Sequence, residues 1–171
     1  NNQNISIFNS SFIDNQGAWG TAISSDGSNK NPNYSIRYCI FDSDVNAPLI
    51  RTSSKIPEMD YNYWAMNITN KNDFISKSLV VANGTSIAPN NWILMSLTGL
   101  NYLNLNESSS YTFALDKLCD GVDILEFNGS LPDYTFNIFQ NNIDLGTYII
   151  KKKKKVTYNL SYDVMDIYEI S

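Results

Sequence analysis

Ile7-Phe8-Asn9-Ser10-Ser11-Phe12-Ile13-Asp14-Asn15 returns 29 residues further on as Ile36-Arg37-Tyr38-Cys39-Ile40-Phe41-Asp42-Ser43-Asp44. Ile7 aligns with Ile36, Ser10 with Cys39, Phe12 with Phe41 and Asn15 with Asp44. A second pair, Ala22-Ile23 and Leu49-Ile50, matches at an offset of 27. A repeat of this length, built from short apolar runs and polar corners, predicts a winding backbone that lays each strand beside its counterpart one turn later. Alternate side chains of a strand point to opposite faces. Ile5, Ile7, Phe12, Ala22 and Ile23 are therefore expected to fill a first rung, and Ile36, Ile40 or Phe41, Leu49 and Ile50 a second. Like residues would stack about 4.8 Å apart, the distance between neighbouring strands.

Working outward, Ser28 to Asn33 reads as a loop between rungs, and Met59 to Trp64 as a last partial rung whose aromatics cover the open end. Residues 67–90 read as a connecting segment with one apolar run, Leu79-Val80-Val81, and a turn at Asn83-Gly84-Thr85. From Trp92 the pattern becomes antiparallel. Leu103 and Leu105, then Tyr111, Phe113 and Leu115, then Tyr134, Phe136 and Ile138 alternate with polar residues. Tyr148 to Ile150, Val156-Tyr158-Leu160 and Val164-Ile167-Ile170 follow. Short strands divided by turns predict a β-sandwich. No helix is expected. The division is thus 1–66 for the rungs, 67–90 for the connection and 91–171 for the sandwich.

Composition agrees with an all-β chain. Of 171 residues 43% are hydrophobic, enough for a core, and only 17% are charged. Asn supplies about one residue in seven, a residue that accepts left-handed corners and bonds its own backbone there. The net charge of −5 offers no general basic field for nucleic acid. Histidine, the commonest general base and metal ligand, is absent. Cys39 and Cys119 lack metal spacing; a disulfide is conceivable, but two buried free thiols in different domains are expected. No run of 18 apolar residues occurs. The chain begins at Asn1 without Met or signal peptide, and is expected to be an excised piece of a larger exported protein.

Three phrases carry a resemblance. Phe12-Ile13-Asp14-Asn15-Gln16-Gly17-Ala18-Trp19-Gly20-Thr21-Ala22-Ile23 is similar to the Phe-x-x-Asn … Gly-Gly-Ala-Ile phrase of the adhesin-like, Asn/Thr-rich surface proteins of methanogenic archaea and of chlamydial polymorphic membrane proteins; Thr21 stands where the second Gly would be. Tyr61-Asn62-Tyr63-Trp64 resembles the phrase that closes the last rung in the methanogen proteins, with Ala65 replacing its Gly. Trp92 to Met95 and Asn128 to Asp133 look like the opening strand and mid-domain turn of the Ig-like domain that follows. The resemblance implies the C-terminal rungs of a right-handed parallel β-helix joined to an Ig-like antiparallel β-sandwich on a cell surface. It supplies no ligand. The five-lysine run and the acidic tail from Asp163 to Glu169 depart from the late strands of those proteins.

Lys151 to Lys155 is expected as an edge strand or protruding hairpin, because one face of the run would otherwise enter the sandwich interior. Lys151, Lys153 and Lys155 would share a face and are candidate contacts for an acidic surface. Trp19, Tyr61, Tyr63 and Trp64 are candidates for stacking on sugar rings, against the plainer expectation that they seal the rung end and the domain junction. Asp14, Asp26, Asp42 and Asp44 are acid candidates for polysaccharide cleavage, a chemistry that needs two carboxylates a fixed distance apart. Asp42 aligns with Ile13, so no carboxylate pair stacks there, and the chain is read as non-enzymatic. Calcium on Asp26, Asp42 or Asp44 is the one cofactor considered, without a spaced ligand loop to hold it; no cofactor is expected. Asn33, Asn67, Asn83, Asn106, Asn128 and Asn159 head sequons suited to N-glycosylation, whereas Asn9 is expected to lie inside a rung. The reading is an extracellular, non-catalytic adhesin fragment that meets a glycan or protein of another cell. The alternatives are a structural spacer and a polysaccharide-cleaving enzyme.

Overall fold

A computed structural model describes residues 4–25, 32–43, 47–53, 55–100, 108–140, 143–152 and 155–161 of the 171. Its strands are β1 (Asn4–Phe8), β2 (Ser11–Ile13), β3 (Ile23–Ser25), β4 (Asn33–Arg37), β5 (Ile40–Asp42), β6 (Ile50–Thr52) and β7 (Asn62–Tyr63). Helix α1 (Lys71–Ser76) follows, then β8 (Val80–Ala82), β9 (Thr85–Ser86) and β10 (Trp92–Thr98). The remainder is β11 (Ser108–Cys119), β12 (Ile124–Glu126), β13 (Tyr134–Gln140), β14 (Ile143–Ile150) and β15 (Val156–Ser161). The chain is mostly β, in several sheets.

The repeated phrase becomes register. Strand β1 pairs parallel with β4, Ile7 beside Ile36; β2 pairs parallel with β5, Phe12 beside Phe41; β3 pairs parallel with β6, Ile23 beside Ile50. The Phe12 and Phe41 rings stack at 5.0 Å and 3°. Trp64 continues the column at 4.6 Å from Phe41. Between the first two strands of each rung the backbone turns through a left-handed residue: Asn9 (φ 50), Tyr38 (φ 57) and Tyr61 (φ 62). Ala65 also takes φ 49, which accounts for the Gly at that place in the resembling phrase.

The parallel pairing does not end at Trp64. Strand β8 pairs with β6, Val80 beside Ile50, and β10 pairs with β7, Ile93 beside Tyr63. Residues 67–90 therefore carry a further ladder strand and a helix, where a connection without helix was expected. Asn70 caps α1, its Oδ1 accepting from the Asp73 N–H at 2.8 Å. The helix has only six residues and one buried anchor, Phe74, which meets Trp64 at 5.4 Å and Trp92 at 5.3 Å. So short an element carries too little apolar periodicity to be read from sequence.

Strand β10 is shared. One edge pairs parallel with β7 and the other antiparallel with β11, so the sheet runs β12-β11-β10-β7-β5-β2, with β15 also on β11. Its two faces bury different cores. Phe41, Trp64, Trp92 and Leu94 face the interior of the stacked rungs, with Ile36, Leu49, Ile50, Leu79 and Val80. Ile40, Tyr63 and Ile93 face the other way, toward Tyr111, Phe113, Leu131, Tyr134, Ile138 and Ile150. That second core is closed by the β13-β14 hairpin. The choice between Ile40 and Phe41 as rung filler thus resolves to Phe41.

Some expectations change. Asn33 opens β4 instead of ending a loop; Ser28 to Asn31 lie outside the described residues. Leu103, Leu105 and the strand expected over Val164 to Ile170 also lie outside them. Cys39 and Cys119 are both free and buried, and burial pushes the Cys39 thiol up.

Where the cores meet, Tyr63 and Tyr134 pack edge to face at 5.2 Å, and the Tyr134 hydroxyl donates to Asp42 Oδ2 at 2.9 Å. Burial pushes the Tyr63 phenol up to about 12 and that of Tyr134 higher still. A free phenol ionises near 10 in an unfolded chain, so folding favours the neutral form. This stabilisation is intact below about pH 10 and drains away as pH rises through the folded value. Urea midpoints of the wild type are expected to fall steeply between pH 10 and 12, and those of Tyr63→Phe/Tyr134→Phe to fall less. Equal slopes would contradict the assignment.

Candidate functional site

The β3-β6-β8 ladder alternates like any sheet. Ile23, Ile50 and Val80 point into the rung core, while Ser24, Arg51 and Val81 occupy the opposite face at the next register position. Beside this face lies the loop from Gln16 to Thr21. Thr21 ties the loop to the second rung: its N–H donates to the Pro48 carbonyl at 2.7 Å, and its hydroxyl meets the carbonyls of Ala47 and Pro48 at 3.1 and 3.2 Å. Gly17 and Gly20 let the chain close on itself; a Cβ on Gly17 would sit 2.7 Å from the Gly20 oxygen, and one on Gly20 2.6 Å from the Ile23 oxygen.

The loop holds Trp19 out from the rung, 68% exposed. The Arg51 guanidinium carbon lies 5.0 Å from the centre of its ring, a cation–π contact worth about 0.5–1 kcal/mol at an exposed site. The two side chains form one wall of a groove of about 550 Å³, which Ser24, Thr52, Ser53 and Asn83 also line. At its far rim Asn83 (φ 48) and Gly84 (φ 75) form the tight turn between β8 and β9. The groove therefore offers an aromatic plate, one cation and several hydroxyl and amide groups. Among the described residues Arg51 enters no ion pair.

The other expected contacts fall elsewhere. Tyr63 (5% exposed) and Trp64 (1%) are corrected: they lie in the two cores and present no surface to a ligand. Tyr61 is half-buried, stacked on Tyr38 at 5.4 Å. Lys151 and Lys152 are exposed and lie beyond the end of β14, and Lys155 precedes β15; Lys154 lies outside the described residues. Lys155 pairs with Asp116 of its own chain at 3.7 Å, and Lys153 lies outside the described residues. Lys152, Lys155 and Asp116 border a second, smaller concavity of about 360 Å³ with Phe127.

Of the acid candidates, Asp14 is exposed and Asp42 accepts from Tyr134, while Asp26 and Asp44 lie outside the described residues. Among the described residues no group of three or more His, Cys, Asp or Glu is placed to hold a metal. Asn33, Asn67, Asn83, Asn128 and Asn159 are all exposed; Asn106 lies outside the described residues. Asn33 Nδ2 donates to Asn4 Oδ1 at 3.0 Å, and Asn67 Oδ1 accepts from the Met95 N–H at 3.0 Å. Asn9, expected inside a rung, is exposed at its left-handed corner.

Arg51 was missed by reading the sequence for contacts. The 27-residue offset holds the signal: it aligns Ser24 with Arg51, next to Ile23 and Ile50, and so places Arg51 on the outer face beside the Trp19 loop. Compared with protein-family models, curated proteins and solved structures, the chain matches none. No helix among the described residues is long and apolar enough to cross a membrane.

Proposed function

We propose that this chain is a non-catalytic attachment module of an extracellular cell-surface protein, and that the Trp19–Arg51 groove is its contact site. In this reading the stacked rungs are the end of a right-handed parallel β-helix, and the strands from Trp92 onward form an Ig-like sandwich that shares β10 with it. The partner is a glycan or protein on another cell. The resemblance to adhesin-like proteins of methanogens supports the location. One observation carries the role: an indole held largely in solvent by two close-packed glycines, on a loop pinned to the next rung, over an arginine of the outer face. An exposed tryptophan of this kind adds nothing to either core, whereas amphipathic ligands bind rings of this type.

Beads coated with the protein are expected to attach to cells bearing the partner, and Trp19→Ala to lose most of that attachment. Because Trp19 lies outside both cores, its removal should change stability by no more than about 0.5–1 kcal/mol. Full attachment by Trp19→Ala would overturn the site. Attachment that survives replacement of the whole segment by unrelated repeats of equal length would make it a spacer.

A further inference from the structure

We propose that the Trp19–Arg51 groove takes a saccharide carrying a carboxylate, with Arg51 as the group that reads the acid. The inference rests on the attachment reading above and names the ligand class of that same site. Three observations converge on it. The first is charge: among the described residues Arg51 is the one formally charged side chain lining the groove, in a chain of net charge −5. An acidic chain repels an extended polyanion, so the fit is to a ligand with localised negative charge met by a local cation. The second is satisfaction. Among the described residues Arg51 has an aromatic ring for company and no carboxylate. A bound ligand would strip water from the guanidinium, which is costly unless the ligand returns an acceptor. A carboxylate returns two, in the planar fork that a guanidinium matches. The third is shape and lining. A groove of about 550 Å³ is of small-molecule size. The hydroxyls of Ser24 and Ser53 and the Asn83 amide surround an indole, while the buried Thr52 hydroxyl donates to the Lys55 carbonyl at 2.8 Å. A pyranose has one apolar C–H face and a rim of hydroxyls, so it fills both demands at once; the backbone of an acidic peptide can meet the hydroxyls, but its side chains bring no apolar ring face to lie on the indole.

The arrangement also supplies its own reporter. Trp64 and Trp92 are buried, so Trp19 is the solvent-exposed member of the three tryptophans. Its emission can be followed while the protein is titrated with a glucuronic acid–N-acetylglucosamine disaccharide, with the disaccharide in which glucose replaces glucuronic acid, and with a short Asp/Glu peptide. The acidic disaccharide is expected to bind roughly 10- to 100-fold tighter than the neutral one, the range of one charge-assisted hydrogen-bonded pair. Arg51→Gln should erase that ratio while weak binding of both sugars remains, and far-UV circular dichroism should show an unchanged fold. Equal affinities in the wild type would overturn the acid preference and leave the groove as a saccharide site. A response to the peptide alone would overturn the saccharide class. No response to any of the three would overturn the groove as the contact site, and with it the role assigned to Trp19.

Discussion

Phe41→Ala is expected to remove about 3–5 kcal/mol of stability, a large share of the roughly 5–15 kcal/mol that a domain commonly has. Phe41 is 0% exposed and lies between two rings, Phe12 at 5.0 Å and Trp64 at 4.6 Å. Truncation loses the transfer energy of the ring, leaves a cavity, and breaks two stacking contacts of about 0.5–1.5 kcal/mol each. The cavity decides the magnitude. Its floor and ceiling are side chains on neighbouring strands held about 4.8 Å apart by hydrogen bonds, so the gap cannot close by collapse. Phe12→Ala is expected to cost about half as much, because Phe12 is only half-buried and leaves no closed void. Urea unfolding of the two variants checks this, with near-ultraviolet circular dichroism reporting the loss of ring stacking around Trp64. Similar small costs for both, below about 1 kcal/mol, would mean that the column does not hold the rungs together.

The same column explains what the sequence made legible. Ile7 with Ile36 and Phe12 with Phe41 share an offset of 29 because the corner between the first two strands has the same length in both rungs, so alignment of the repeat is alignment of the register. Trp64 comes only 23 residues after Phe41, since the next rung is shorter, and its place above Phe41 is invisible to a fixed period. The parallel pairing beyond Trp64 was hidden for a related reason. Trp92 to Met95 is a nearly continuous apolar run, which fits an opening sandwich strand. It is such a run because β10 is buried on both faces, with Trp92 and Leu94 in one core and Ile93 in the other. A strand whose two faces bury two cores looks in sequence like the start of the second. The candidate site divides in the same manner. Trp19 stood out as a large ring in a Gly-flanked loop, whereas Arg51 gained meaning only from the neighbour that the fold brings to it. Tyr63 and Trp64 were equally prominent and are core residues; residue type alone cannot separate the two cases.

Asn62 is the residue whose importance the sequence hid most completely, and its replacement is expected to be the second most damaging change. It sits within a phrase of aromatics and reads as a polar gap between them. It is 0% exposed, and its amide makes three hydrogen bonds. Oδ1 accepts from the Cys39 N–H at 2.9 Å; Nδ2 donates to the carbonyls of Ile36 at 2.8 Å and Met59 at 2.7 Å. The side chain thus replaces a length of ladder at the corner where the rung of Tyr63 meets the rung of Cys39. Asn62→Leu matches its size and strands one buried N–H and two buried carbonyls. At about 1–3 kcal/mol for each group left unsatisfied, and less than additively, the cost should reach about 3–5 kcal/mol. Asn62→Asp separates this account from a simple packing effect. The carboxylate still accepts from Cys39, but its second oxygen faces two carbonyls with no proton between them. The fold then favours the protonated acid, whose O–H donates to one of the two, so the folded pKa must rise above the unfolded value near 4. A group raised in this way contributes its stability below the unfolded pKa and loses it as pH climbs through the folded one. Measured against wild type at each pH, Asn62→Asp should therefore recover part of its deficit as pH falls from 7 to 4, while Asn62→Leu keeps a constant deficit. Parallel deficits across that range would show that shape, and not the three hydrogen bonds, is what Asn62 contributes.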